Sequence, residues 1–382
     1  MMCSKLIDFI RGIYHEPENF IPLHEPKFIG NERKYVLDAI DSTFVSSVGA
    51  YVDRFEAMMR EITGAKYAVA TVNGTNSLHL SLLLAGVEKG DEVLTQPLTF
   101  IATTNAISYA NAIPHFVDVD KETLGLSPSI LNRYLSDITE VKSGVCYNKN
   151  TGNRISACVP MHTFGLPMYI DELIIVCNKY CIPVVEDAAE SLGSYYNGKH
   201  TGTYGLLGVF SFNGNKTVTA GGGGAIITNS EELAKKAKHL TTQAKIPHKW
   251  EYKHDKIGYN YRMPNLNAAL ACAQLEQLDN FIDNKRDLSD LYFNFFKEVD
   301  EVSLIREIIG AKSNYWLNAI VLKDRETRDK FLEVTNDSGV MTRPIWSLMN
   351  QLEMFKNCPK GDLSNAEWLE DRVVNITSSV RV

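Results

Sequence analysis

Apolar and polar positions change period along the chain, and the changes predict its elements. Short apolar runs at Tyr67-Ala-Val-Ala-Thr71, Glu92-Val-Leu-Thr95, Pro114-His-Phe-Val117, Ile155-Ser-Ala-Cys-Val159 and Ile182-Pro-Val-Val-Glu186 read as strands. Between them, residues 75–85, 101–109 and 170–180 repeat their apolar positions every three to four residues and read as helices. Such alternation predicts an α/β fold, a mostly parallel sheet covered by helices. The pattern changes after about residue 256. A long helical stretch runs from Pro264, placed at a first helical position, towards Val299. A strand over 315–322 and a helix over 325–336 follow. The expected division is a large domain over 1–255, including an N-terminal segment 1–28, and a smaller C-terminal α/β domain over 256–382. The Asn-, Lys- and Gly-rich stretch 142–154 reads as a surface loop.

A chain of 382 residues, 45% hydrophobic, can bury a large core. No apolar run approaches the roughly 18 residues that span a bilayer, and the start lacks the pattern of a secretory signal, so the expected location is the cytoplasm. A net charge of −7 argues against nucleic acid as a partner, which needs concentrated basic surface. The local cluster Lys235, Lys236 and Lys238 reads as the solvated face of a helix. Seven scattered cysteines form no Cys-x-x-Cys pair, and the histidines form no metal-binding spacing, so neither a disulfide framework nor a metal is expected. Cys177 and Cys181, four apart, are read as sharing one helical face in apolar packing.

The candidate chemistry centres on Lys216. It closes the run Gly208-Val-Phe-Ser-Phe-Asn-Gly-Asn-Lys216, precedes the run Gly221–Gly224, and lies 29 residues after Asp187. A lysine that forms an imine with a cofactor needs a short reach from rigid backbone, a nearby anion for the cofactor's ring nitrogen, and close backbone packing, which glycine permits. A phosphate-binding P-loop is excluded, because Asn215 separates Gly214 from the lysine and the glycine spacing is wrong. Asn73-Gly74-Thr75 lies between a strand and a helix, where backbone amides favour a phosphate or the side chains simply cap the helix. Phe100, after Pro97-Leu-Thr99, is placed to stack on a cofactor ring or to pack in the core. Asp187 ends an apolar strand, at the sheet edge where open α/β folds bind ligands, and it is a ligand or a helix cap. The glycine run after Lys216 is a close-approach segment or a plain turn.

These stretches, together with Gly258-Tyr-Asn-Tyr-Arg-Met263, resemble in order and over nearly the whole chain the DegT/DnrJ/EryC1/StrS family of pyridoxal-phosphate (PLP) sugar aminotransferases. Leu23-His-Glu-Pro26, Val45-Ser-Ser-Val-Gly49 and Ser313-Asn-Tyr-Trp-Leu-Asn318 are similar to its LegC branch. The resemblance implies PLP fold type I with a seven-stranded sheet. It assigns Lys216 as the Schiff-base lysine and Asp187 as the partner of the ring nitrogen. Gly74, Thr75 and Ser211 become phosphate ligands, Phe100 the stacking ring, and Glu190 a neighbour of the cofactor face. Asn260 would reach the phosphate from a second subunit, which implies a homodimer with shared active sites.

The implied reaction takes an amino group from L-glutamate and delivers it to the C4 ketone of a nucleotide-linked 4-keto-6-deoxy sugar. The LegC features point to UDP-2-acetamido-2,6-dideoxy-hexos-4-ulose, on a route to bacterial surface sugars. Lysine at 216 favours transamination, since relatives that remove a sugar hydroxyl carry histidine there. Candidate substrate contacts are His24, Glu25, the segments 241–250 and 314–318 with Asn318, and Arg343. The family's proline before the final serines is replaced in Thr377-Ser-Ser379. Two rivals remain: an aminotransferase for a GDP- or dTDP-linked 3- or 4-keto sugar, and a PLP-binding regulator without turnover. No helix-turn-helix pattern supports the regulator.

Overall fold

The carboxyl ends of the central strands converge on one edge of the main sheet, and the elements around them are built to bring that about. The computed structural model describes residues 2–299 and 301–381. The main sheet has seven strands in the order Tyr67–Thr71, Gly224–Thr228, Leu207–Ser211, Val185–Asp187, Ile155–Val159, Glu92–Thr95 and Ile113–Phe116. Parallel bridges at Cys158 with Val184 and Met161 with Asp187 join its two halves. Only Gly224–Thr228 runs antiparallel, pairing Gly224 with Thr71 on one side and with Ser211 on the other.

Helices cover both faces, so central strands are apolar on both sides; Ile155–Val159 is buried at every position. Alternate residues of one strand feed two cores. Ala68 and Ala70 pack with Phe55, Phe212 and Ala268, while Val69 packs with Leu80, Val93 and Ile107. Phe55 and Phe212 meet edge to face at 5.0 Å. Helix starts follow their capping residues. Asn73 caps Gly74–Leu84 by accepting from Asn76 N–H, and Ser230 and Asp324 cap Glu231–Thr241 and Arg325–Asp337 likewise. The lysines at 235 and 238 lie on Glu231–Thr241 and pair with Glu231 and Glu56.

A second, antiparallel sheet carries the C-terminal part, in the order Ser303–Leu304, Asn318–Val321, Val373–Ile376 and Arg343–Pro344. The helix Met2–Tyr14 packs here, where Leu6 and Ile10 join Tyr292, Phe331 and Val374. Conversely, Asn265–Leu275 packs on Ala50–Thr63, and its Ala268 and Cys272 belong to the core of the main sheet. We therefore propose two units whose division departs from 255/256 at these places, with residues 2–14 in the C-terminal unit and 265–275 in the large one.

Several expectations need correction. The stretch 142–154 is not simply a surface loop, because Val145–Asn148 forms a hairpin with Thr139–Lys142. Asn148 and Thr151 donate to the buried Glu92 carboxylate, which His115 also contacts, so this polar segment seals the sheet's amino end. The long helix from Pro264 is two, Asn265–Leu275 and Leu278–Phe296, and Pro264 is the residue before the first turn, with an extended ψ of 146°. The strand expected over 182–186 is Val185–Asp187. Cys177 is buried, but Cys181 lies past its helix with a φ of 58° and is exposed, so the two share no helical face. The expected strand over 315–322 is confined to Asn318–Val321, because Tyr315 adopts a φ of 43°. Among the described residues, no helix is long and apolar enough to cross a membrane.

Candidate active site

A cavity of about 350 Å³ opens at the carboxyl edge of the main sheet. It is lined by Gly74, Thr75, Phe100, Asp187, Glu190, Ser211 and Lys216, with Trp316 and Trp346 closing it from the C-terminal part. A larger cleft of about 1080 Å³ between Met58, Leu278 and Lys312 gathers none of these residues.

One end is an anion cradle. The helix Gly74–Leu84 presents its first-turn amides there, and Ser211 ends the neighbouring strand beside them. A Cβ on Gly74 would stand 2.9 Å from the Ser211 Cβ, so glycine is what lets hydroxyl and helix start share the space. Gly224 is required for a similar reason: a Cβ there would lie 2.5 Å from the Asn73 backbone, which fixes the entry to the helix. At Gly224 the glycine run thus serves close packing of backbone on backbone.

Asp187 lies at the cavity floor, nearly fully buried. Its Oδ2 accepts from the Thr103 hydroxyl at 2.8 Å and its Oδ1 from Ala189 N–H at 3.2 Å. Burial pushes its carboxyl up, and those hydrogen bonds and the Lys216 charge oppose the rise. Three residues on, Glu190 divides its oxygens. Oε2 accepts from Phe164 N–H at 2.9 Å and Oε1 from Lys216 Nζ at 3.2 Å. Burial raises Glu190 to about 7 against the pull of Lys216 and the Phe164 amide. Phe164 reaches this position with a left-handed φ of 58°, a conformation that costs a bulky residue on the order of 1–3 kcal/mol. The lysine ammonium also lies 4.0 Å from the centre of the Trp316 ring.

Phe100 stands half exposed at the cavity wall, 6.3 Å from Trp346, which also packs on Phe164. A phenylalanine serving only the core would be covered.

These groups fit PLP. A helix start with a hydroxyl suits a phosphate, a buried carboxylate suits a ring nitrogen, a half-exposed phenyl suits a ring face, and an amine suits an aldehyde. Residues 26–382 match the sequence profile of the DegT/DnrJ/EryC1/StrS aminotransferase family. The chain belongs to that family. The GDP-perosamine synthase of Escherichia coli O157:H7 is 36% identical over 336 residues, 88% of this chain and 87% of that protein. The putative pyridoxal phosphate-dependent aminotransferase EpsN of Bacillus subtilis is 36% identical over 335 residues, 88% of this chain and 84% of its own. Among solved structures, the aminotransferase TlmJ from Streptoalloteichus hindustanus superposes with a TM-score of 0.85 at 25% identity, covering 94% of each chain. The protein is thus a PLP-dependent sugar aminotransferase of fold type I.

The remaining expected site residues of this aminotransferase lie elsewhere. Asn260 is exposed, bridged to Thr242, and outside the cavity. Glu25 pairs with Lys27 at the rim of a separate pocket. Asn318 is buried in its strand, bonded to Ser378, and Arg343 is exposed on the edge strand of the C-terminal sheet. None of the three lines the cavity. His24 lies behind the cavity wall, 6.5 Å from the Trp316 ring, with both ring nitrogens shielded and making no hydrogen bond of normal geometry. Burial pushes its imidazole down, and the charges of Lys285 and Lys216 add to the effect.

Sequence reasoning missed Thr103, Phe164 and Trp346. Thr103 carried a usable signal, because it falls one helical turn after Phe100 on a helix that starts at the sheet edge. Phe164 acts through its backbone amide, which no side-chain motif announces.

Proposed function

We propose that this aminotransferase moves an amino group from L-glutamate to the ketone of a GDP-linked 4-keto sugar. The observation that carries the reading is the meeting, in one cavity, of Lys216 with the Glu190 and Asp187 carboxylates and the Gly74–Ser211 cradle. Relatives named as GDP-perosamine synthases in Escherichia coli and Vibrio cholerae, each 36% identical, favour GDP over the expected UDP.

Bound PLP would supply an aldehyde for imine formation and a ring that withdraws electrons from the donor's α-carbon. The chain's own residues do the rest. Gly74 and Thr75 amides and the Ser211 hydroxyl would hold the phosphate, and Asp187 would keep the ring nitrogen protonated. Phe100 would cover the ring face. Lys216 Nζ, released when the donor amine takes its place, would remove the proton from the donor's α-carbon. Glu190 would accept a proton from that nitrogen or return it across the 3.2 Å contact.

A second copy of the chain is part of this proposal. Leu37, Ile40, Phe44 and Val48 form a run of large exposed apolar side chains along and beyond the helix Glu32–Asp41, the kind of surface that a partner covers. Exposed Asn260 would reach the partner's phosphate cradle.

The test is spectroscopic. Purified protein with PLP should change its visible absorbance on addition of L-glutamate, and only the right keto sugar should restore it. Recovery with a GDP-linked 4-keto sugar and not its UDP counterpart supports the proposal. Recovery with UDP-2-acetamido-2,6-dideoxy-hexos-4-ulose alone removes the GDP assignment, and no change with glutamate removes the donor.

A further inference from the structure

Trp316 meets Lys216 with its ring face and Asn215 with its ring nitrogen, and the segment that delivers it is fixed on several sides. Ser313 Oγ donates to Gly165 O, Asn314 N–H to Ser194 Oγ, and Asn314 Nδ2 to the carbonyls of Glu190 and Leu192. Tyr315 then takes its left-handed φ of 43°, and Trp316 N–H turns back to Asn314 Oδ1 at 2.8 Å. The buried Lys285 donates to the Trp316 carbonyl at 3.1 Å. Held in this way, the indole donates Nε1–H to Asn215 O at 2.7 Å, fixing the backbone one residue before the lysine. Its face lies 4.0 Å from Lys216 Nζ, which also lies 3.2 Å from Glu190 Oε1.

A lysine released from a cofactor regains a four-carbon stem of rotamers, worth up to about 2 kcal/mol of freedom, and proton transfer needs the nitrogen within roughly 3.5 Å of its target. Glu190 alone would draw the ammonium to one side. An indole face attracts it too, but cannot take its proton.

We propose that Trp316 is a positioning residue for Lys216: its Nε1–H fixes the loop at Asn215, and its face, with Glu190, holds the nitrogen in place as it takes the proton from the donor's α-carbon and becomes charged. The inference rests on the reading of Lys216 as the lysine that bonds the cofactor.

The first check needs no cofactor. In cofactor-free protein, competitive acetylation followed by mass spectrometry compares Lys216 with exposed lysines. Lys216 in Trp316→Leu should react about fivefold faster than in the parent, the loss expected of one cation–π contact. The second check uses PLP-loaded protein in single turnover with ordinary and α-deuterated L-glutamate. Trp316→Leu should lower the rate roughly 100-fold and raise the deuterium isotope effect, while PLP and glutamate dissociation constants stay within about twofold. Trp316→Phe, which keeps a ring face and loses Nε1–H, should fall about tenfold and carries the test if the leucine variant does not fold. Unchanged acetylation and an unchanged isotope effect in the folded variants overturn the proposal. So does a rate loss matched by an equal loss of PLP binding, which marks the indole as packing only. Borohydride reduction of the PLP-loaded parent and peptide mapping separate the underlying reading: a label away from Lys216 overturns that reading and this inference together, whereas a label on Lys216 with unchanged variants overturns this inference alone.

Discussion

Two lysines contact Trp316, one at its ring face and one at its carbonyl, and only one of them opens to the cavity. Lys216 sits on a glycine-flanked loop, its side chain 13% exposed, with the Glu190 carboxylate and the indole face as neighbours. Lys285 sits mid-helix in Leu278–Phe296, fully covered, and donates to the carbonyls of Trp316 and Ser378. Burial lowers Lys285 to about 7. The difference teaches that burial alone does not make a lysine reactive. Carbonyls accept hydrogen bonds but cannot exchange a proton, whereas a carboxylate can, and Lys216 alone of the two borders space where a substrate fits.

The contrast breaks first at Lys216. Lys216→Ala should cut single-turnover transamination by roughly four orders of magnitude or more, with PLP retained noncovalently. Glu190→Gln keeps an acceptor for Phe164 N–H and loses the charge, so the glutamate half-reaction should slow about 100-fold. In the parent, Glu190 becomes protonated as pH falls through about 7, and the half-reaction rate should fall with it; in Glu190→Gln that limb should vanish from the pH profile.

Thr103→Val removes the hydroxyl that supports Asp187. A hydrogen bond to a charged group is worth about 1.5–3 kcal/mol, so PLP affinity measured by fluorescence titration should drop roughly 30-fold. The smallest effect concerns Lys285. The folded chain holds it neutral above about 7, while the unfolded chain keeps it protonated up to its ordinary value near 10.5. The unfolded state therefore binds more protons in that window, and folding stability rises with pH through it. Relative to Lys285→Met, urea unfolding of the parent should gain about 1 kcal/mol per pH unit between pH 7 and 9, a slope whose absence would place the amine in contact with water.

The large unit was readable because its signals are local. Strand ends and glycine positions singled out Gly74, Asp187 and Lys216, the family resemblance added Ser211, and the structure brings all four to one cavity. Ile101–Tyr109 and Ile155–Val159 match their expected bounds, since their flanking residues mark both ends. The strands Leu207–Ser211 and Gly224–Thr228 were not read as strands, because their glycines mimic turns while serving close packing. Residues 142–154 misled for the opposite reason: among their polar side chains, Asn148 and Thr151 find a partner in the buried Glu92. The C-terminal wall was less readable. Trp316 fell within a candidate segment, but its role depends on the left-handed turn at Tyr315, and Trp346 comes into reach only through the tertiary fold.

The antiparallel strand Gly224–Thr228 has a consequence for the order of events on the ribosome. The strand Tyr67–Thr71, which launches the phosphate-binding helix, is held in the sheet by residues 224–228 and by a bridge from Thr71 to Arg262. Both partners are synthesised more than 150 residues later, a delay on the order of ten seconds or more at common translation speeds. Ser211 itself is made late in that interval, and the strand that sets its spacing from the helix start follows it in the sequence. The cradle of Gly74 and Ser211 can therefore take its final spacing only when the last strand of the main sheet has been inserted.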